Sequence, residues 1–209
     1  MALKGLYAVT PDFADTGELV RRTRLALLGG VRLLQYRNKT ADAALRRKQA
    51  AALLRLSREH GARLVVNDDL SLALALDADG VHLGGDDGDL AAARAALGPG
   101  KLLGASCYDD MERARNAKRI GADYLAFGSF FASPTKPRAV RAPLALLAEA
   151  RRETGLPVAA IGGITLQNAP QLIAAGADLL AVITDLFEAP DIQARAASYT
   201  QLLSERVMS

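Results

Sequence analysis

Eight times along the 209 residues, a short apolar run of extended character is followed by a longer stretch with apolar residues at helical spacing. The runs are LKGLYAV (3–9), VRLLQY (31–36), RLVV (63–66), DGVHL (79–83), KLLGAS (101–106), DYLAFG (123–128), PVAAIG (157–162) and DLLAVI (178–183). Helical stretches such as 41–60 and 109–122 have aspartate at or next to their first position and carry basic residues further along, the order that a helix dipole favours. Gly29, Gly61, Gly121 and Gly176 each stand between a helix and the next strand, where glycine ends a helix at little steric cost. An open doubly wound sheet would present a G-x-G-x-x-G fingerprint after its first strand, and none is present. The pattern predicts an α/β chain folded as a single (β/α)8 TIM barrel, with residues 1–209 forming one catalytic domain.

Half of the residues are hydrophobic, enough for a large core, and no shift in composition marks a second domain. The formal charge of +3 is spread over helical stretches, while aromatics make up 5% of the chain and tryptophan is absent. Those features argue against a nucleic-acid partner, which would call for a basic stripe interleaved with aromatic side chains. Cys107 is the single cysteine, so no internal disulfide can form. The opening MALKGLYAVTPD has no apolar core of a signal peptide, and no apolar run approaches the roughly 18 residues of a membrane span. The expectation is a soluble cytoplasmic protein without a membrane partner.

In a parallel barrel the C-terminal ends of all strands open onto one face, so polar residues after different strands converge. Here Gln35, Arg37 and Lys39 follow the second strand, Asn67 and Asp68 the third, Asp87 the fourth and Ser106 the fifth. Ser133, Thr135 and Lys136 follow the sixth, Gly162 and Gly163 the seventh, and Ile183 and Thr184 the eighth. Turn chemistry alone can place Gly, Asn, Asp and Ser at any one such position, but it does not explain seven clusters on one rim.

Alternation along an extended segment turns Gln35, Arg37 and Lys39 to one side, where a guanidinium fork and an ammonium suit a diphosphate. Asp68 and Asp87 are candidate ligands of Mg2+, which takes hard oxygen donors and is held by one or two carboxylates plus waters and phosphate oxygens. Asp69 and Asp86 could substitute on chemistry alone, and any of the four could instead cap the helix that follows. The proline-punctuated segment 127–143 is long for a compact domain and reads as a lid over an anionic ligand. Gly162, Gly163, Ile183 and Thr184 stand where backbone amides after strands seven and eight make a phosphate cup. His60 ends a helix, His82 reads as a structural strand residue, and Cys107 as inert, with no histidine near it in sequence.

Over nearly its whole length the chain resembles the thiamine phosphate synthases, through QYRNK, NDD, DGVHLGGDD, GAS, ADYLAFGSFFASPTKP, PVAAIGGIT and AVIT. The resemblance implies Mg2+-dependent joining of 4-amino-5-hydroxymethyl-2-methylpyrimidine diphosphate to a carboxylated thiazole phosphate, releasing diphosphate and CO2. By motif, Gln35, Tyr36, Arg37, Asn38, Lys39, Asn67, Ser106 and Lys136 would meet the pyrimidine diphosphate, with Arg37, Lys39, Lys136 and Ser106 in catalytic roles. Asp68 and Asp87 would hold one Mg2+ per subunit. Ser133, Pro134, Thr135, Gly162, Gly163, Ile183 and Thr184 would meet the thiazole phosphate. Oligomeric state stays open. The family often has Gln at the position of Gly85, Asp at that of Ser71 and a histidine near Tyr108, so those contributions are missing or altered here. Two other readings are a thiazole tautomerase, which uses a histidine after strand five where this chain has SCYDD, and a catalytically silent phosphate-binding homologue. The intact carboxylates and the Arg37/Lys39 pair favour the synthase over both.

Overall fold

A computed structural model describes residues 3–85, 88–132 and 141–205. Eight parallel strands close on one another in chain order: β1 (Gly5–Val9), β2 (Leu33–Tyr36), β3 (Arg63–Asn67), β4 (Gly80–Leu83), β5 (Leu102–Tyr108), β6 (Tyr124–Phe127), β7 (Val158–Ile161) and β8 (Leu179–Val182). The seam is β1 against β8, with Tyr7 opposite Ala181. The expected barrel is therefore present, and each predicted run overlaps its strand.

Helices α1 (Thr16–Leu28), α2 (Ala43–Glu59), α3 (Leu70–Ala75), α4 (Leu90–Leu97), α5 (Met111–Ile120), α6 (Ala145–Thr154), α7 (Ala169–Ala174), α8 (Thr184–Phe187) and α9 (Ile192–Glu205) follow the strands. Strands β2, β4, β6 and β8 are buried at every residue, as expected when side chains on one face fill the barrel and those on the other pack under helices. The outer layer joins residues such as Leu34, Leu53, Leu64, Val81, Leu103 and Leu147, while the barrel interior holds Tyr7, Leu33, Val65, Leu102, Tyr124 and Leu179.

Aspartates start six of the helices: Asp15, Asp42, Asp69, Asp89, Asp110 and Asp191 each accept a first-turn backbone N–H. Gly61, Gly121 and Gly176 have positive φ at the helix-to-strand turns, whereas after α1 the left-handed residue is Gly30, one place beyond Gly29. On the rim where strands begin, a second device recurs. Asp79, Asp123 and Asp178 accept the N–H of Leu64, Leu103 and Val158 at 2.7, 2.7 and 3.1 Å, tying the starts of β3, β5 and β7 to the turn before the next strand. No helix among the described residues is long and apolar enough to cross a membrane.

Candidate active site

The opposite rim, where strands end, surrounds a cavity of about 670 Å³. Gln35, Arg37 and Lys39 line it, as do Asn67, Asp68, Ser106, Gly162, Gly163, Ile183 and Thr184. Residues separated by up to 149 positions in the chain (35 to 184) thus share one space, because the closed sheet brings every strand end to one face. Asp87, and Ser133, Pro134, Thr135 and Lys136 of the segment expected to form a lid, lie outside the described residues.

Alternation after β2 works as expected for Gln35, Arg37 and Lys39 and corrects the reading of their neighbours. The Tyr36 side chain is buried away from the main cavity and its hydroxyl donates to Gln49 Oε1 at 2.9 Å. Asn38 is also buried: its amide donates to the Phe13 carbonyl and Gln49 Oε1, and its oxygen accepts from the N–H groups of Thr40 and Ala41. Both side chains border a smaller cleft of about 180 Å³, which shares Lys39, Asn67 and Asp68 with the main cavity. They shape the loop that carries Arg37 and Lys39, and their side chains make no part of the main cavity's lining.

Two residues after β1 hold that loop in register, and sequence reasoning passed over both. Thr10 Oγ1 donates to the Arg37 carbonyl and accepts the Arg37 N–H, each at 2.8 Å. Asp12 Oδ1 accepts the Lys39 N–H at 2.7 Å and meets Arg37 Nη1 at 3.0 Å. The available signal was their position: polar residues directly after the first strand, on the same rim as all the others.

After β3 the adjacent carboxylates divide their work. Asp69 caps α3 through the Leu72 N–H, whereas Asp68 turns into the cavity. Asp68 has φ +60°, a conformation that costs a non-glycine residue about 1 kcal/mol or more, and its N–H donates to the His82 carbonyl at 2.9 Å. Its Oδ2 accepts from Asn67 Nδ2 at 2.5 Å and pairs with Lys39 Nζ at 3.0 Å. Such a half-exposed, hard oxygen donor beside cationic groups suits Mg2+ bridging to phosphate. No three His, Cys, Asp or Glu side chains converge on a common point among the described residues.

His82 lines the cavity floor, which the sequence reading as a structural residue did not bring out. Its Nε2 is 2.9 Å from Ser106 Oγ and its Nδ1 3.1 Å from the Tyr124 hydroxyl. Burial pushes its pKa down to about 4, slightly opposed by the charge of Asp68. Tyr7 and Tyr124, also undetected in sequence, share a hydroxyl contact of 2.7 Å inside the barrel, and burial raises both phenol pKa values. Their signal lay in strand alternation, which turns both aromatic residues inward. His60 caps α2, as expected.

Across the cavity, Gly162 and Gly163 have φ of +104° and +62°, and a Cβ on either would collide with Ser129 or Ala132 of the loop after β6. Among the described residues the N–H groups of Gly163 and Thr184 have no acceptor, and both residues line the cavity. Amides so placed are suited to an anion. Nearby Asp185 is held by the Tyr199 hydroxyl at 2.7 Å and Arg195 at 2.6 Å.

The region around Tyr108, where the sequence departs from the pattern it resembles, has its own arrangement. Tyr108 accepts the Gly85 N–H at 3.1 Å, and the Arg113 guanidinium lies 5.3 Å from its ring centroid. A side chain at position 85 would run into Arg113, so Gly85, Tyr108 and Arg113 fit together as a set.

A closed eight-stranded α/β barrel with anion-binding groups gathered at its strand ends defines a class: barrel enzymes acting on phosphorylated small molecules. The family model described as thiamine monophosphate synthase matches residues 6–186, and the chain belongs to that family. It is 60% identical over 200 residues to the thiamine-phosphate synthase of Aromatoleum aromaticum, covering 96% of each chain. To that of Methylobacillus flagellatus it is 57% identical over 202 residues, covering 97% of this chain and 96% of the relative. The structure of thiamine phosphate pyrophosphorylase from Pyrococcus furiosus superposes with a TM-score of 0.84 at 36% identity, covering 97% and 96% of the two chains.

Proposed function

We propose that this chain is a thiamine phosphate synthase, a transferase that joins the pyrimidine diphosphate to the carboxylated thiazole phosphate with loss of diphosphate and CO2. The observation that carries the reading is one cavity with two unlike halves: Arg37, Lys39, Asn67 and Asp68 on one side, Gly162, Gly163 and Thr184 on the other. The first half suits a diphosphate and the second a monophosphate, which matches a reaction between two phosphorylated partners.

The chemistry then needs positioning and charge stabilisation rather than a strong base. Arg37 and Lys39, with Lys136 from the lid, hold the diphosphate and stabilise the negative charge that grows as the CH2–O bond ionises. Gln35 and Ser106 fix the pyrimidine ring. The amides of Gly163 and Thr184, with Ser133 and Thr135, hold the thiazole phosphate so that the ring nitrogen faces the ionising carbon. Asp68 and Asp87 would hold Mg2+, whose charge helps to neutralise the diphosphate as it departs. Arg37 and Lys39 meet carboxylates of the chain in this structure, and a diphosphate would draw them away from Asp12 and Asp68. Residues 1–209 act as one catalytic domain in the cytoplasm on this reading.

The test is direct: purified protein with both substrates and Mg2+ should form thiamine phosphate and diphosphate in equal amounts. Absence of product with both the carboxylated and the decarboxylated thiazole phosphate would overturn the reading.

A further inference from the structure

An unbroken hydrogen-bonded chain crosses the barrel interior beneath the cavity. Gln35 Nε2 donates to the Tyr7 hydroxyl at 2.6 Å, and that hydroxyl lies 2.7 Å from the Tyr124 hydroxyl. The Tyr124 hydroxyl is 3.1 Å from His82 Nδ1, and His82 Nε2 is 2.9 Å from Ser106 Oγ. The chain therefore links β2 to β5 through residues of β1, β6 and β4. Its inner members are buried, with Tyr7 at 1% and Tyr124 at 0% exposure, and the rings pack tightly: Tyr7 meets Tyr124 edge-on, and His82 stacks on Tyr124. Gly104 makes room for this packing, because a Cβ there would collide with Tyr124 and with His82 Nδ1.

Such a chain has a direction. Each phenol has one proton to give, and a neutral imidazole has one ring N–H. Gln35 Nε2 donates to Tyr7, and a buried phenol proton without an acceptor is costly, so the arrangement that satisfies every group has Tyr7 donating to Tyr124, Tyr124 donating to His82 Nδ1, and the imidazole hydrogen on Nε2, directed at Ser106. The Ser106 hydroxyl, already accepting from His82, keeps its own hydrogen for the cavity. At the other end the Gln35 amide oxygen is left as an acceptor. Reversal at either end requires every member between to reverse.

We propose that Tyr7, Tyr124 and His82 are positioning residues that hold this one polarity, presenting Ser106 as a donor and Gln35 as an acceptor to the aminopyrimidine substrate. The proposal rests on the synthase reading for the identity of that substrate, but the proton arrangement stands apart from it. The three residues need not touch the reacting atoms; they act through the two that face the ligand.

The chain contains only two histidines, so 15N spectra of histidine-labelled full-length protein hold two imidazoles, and a His60→Gln variant assigns them. The expected result is a neutral His82 with its proton on Nε2. In Tyr124→Phe, Nδ1 loses its donor; the single tautomer should give way to a mixture, and kcat/KM for the pyrimidine diphosphate should fall about tenfold, the size of one lost hydrogen bond. The KM for thiazole phosphate should stay within about twofold. A wild-type His82 protonated on Nδ1 or on both nitrogens would overturn the proposal, even if Tyr124→Phe fails to fold. So would a folded Tyr124→Phe protein with unchanged tautomer and unchanged pyrimidine kcat/KM. Lack of synthase activity in the wild type would instead overturn the function, with the tautomer still deciding whether the chain has this direction.

Discussion

Lys39 Nζ lies 3.0 Å from Asp68 Oδ2, so the ammonium assigned to diphosphate and the carboxylate assigned to metal neutralise each other in this structure. The Lys39 side chain is 54% exposed, and an ion pair of that kind contributes at most about 1 kcal/mol. The pair therefore holds both groups in place yet yields to ligands.

Opposite effects on the two ligands follow for Lys39→Gln. Removing the competing cation should tighten Mg2+ binding to substrate-free protein by about two- to fivefold, the reach of an exposed pair. Diphosphate should bind about tenfold or more weakly, because a charge-assisted contact is lost. Titration calorimetry with each ligand alone separates the effects, and weakened Mg2+ binding would remove the competition argument.

Thr184 should matter chiefly to the other substrate. It begins α8 with its N–H unclaimed among the described residues, across the cavity from Arg37 and Lys39. Thr184→Pro deletes that N–H at a first helical position, where proline is tolerated. KM for thiazole phosphate should rise about tenfold, with KM for pyrimidine diphosphate within about twofold. Equal losses would remove the division into two halves.

Strand order, barrel closure and most rim residues were legible in the sequence because each depends on local period and on chain order alone. The Gln35/Arg37/Lys39 alternation could be read for the same reason, although Tyr36 and Asn38 show that motif membership does not place a side chain in the cavity. Period could not say which of Asp68 and Asp69 caps α3 and which turns into the cavity; that depends on the positive φ of Asp68. The chain through Tyr7, Tyr124 and His82 joins strands 117 and 42 positions apart, and it depends on the space left at Gly104, which no one-dimensional pattern reports.

Cys107 offers a test of the outer layer. It is buried, among the described residues no histidine or cation is in hydrogen-bond contact with it, its Sγ approaches the Ala105 carbonyl at 3.7 Å, and burial pushes its pKa up to about 12. At pH 8 the native thiol should react with a disulfide reagent on the order of a thousandfold more slowly than the unfolded chain, whose thiol has an ordinary pKa. Because the fold favours the protonated thiol, its contribution to stability is present below pH 9 and is lost as pH rises towards about 12. Rapid stoichiometric labelling of native protein would contradict the packing described.

Asp178 should affect stability without affecting turnover. It stands on the rim where strands begin, remote from the cavity, at 7% exposure; Oδ2 accepts the Val158 N–H at 3.1 Å and Oδ1 meets Arg151 Nη1 at 2.6 Å. Asp178→Ala leaves the Val158 N–H buried without its acceptor, at a cost of about 2–3 kcal/mol, and should lower Tm by about 5–10 °C for a chain of this size. Asp178→Asn keeps an acceptor for that N–H and should lose less. At a temperature where both variants are folded, kcat should match the wild type, because residues on this rim serve the fold and those on the opposite rim serve the chemistry. A fall in kcat with Tm unchanged would mean that the two ends of the barrel are coupled in a way that strand register alone does not provide.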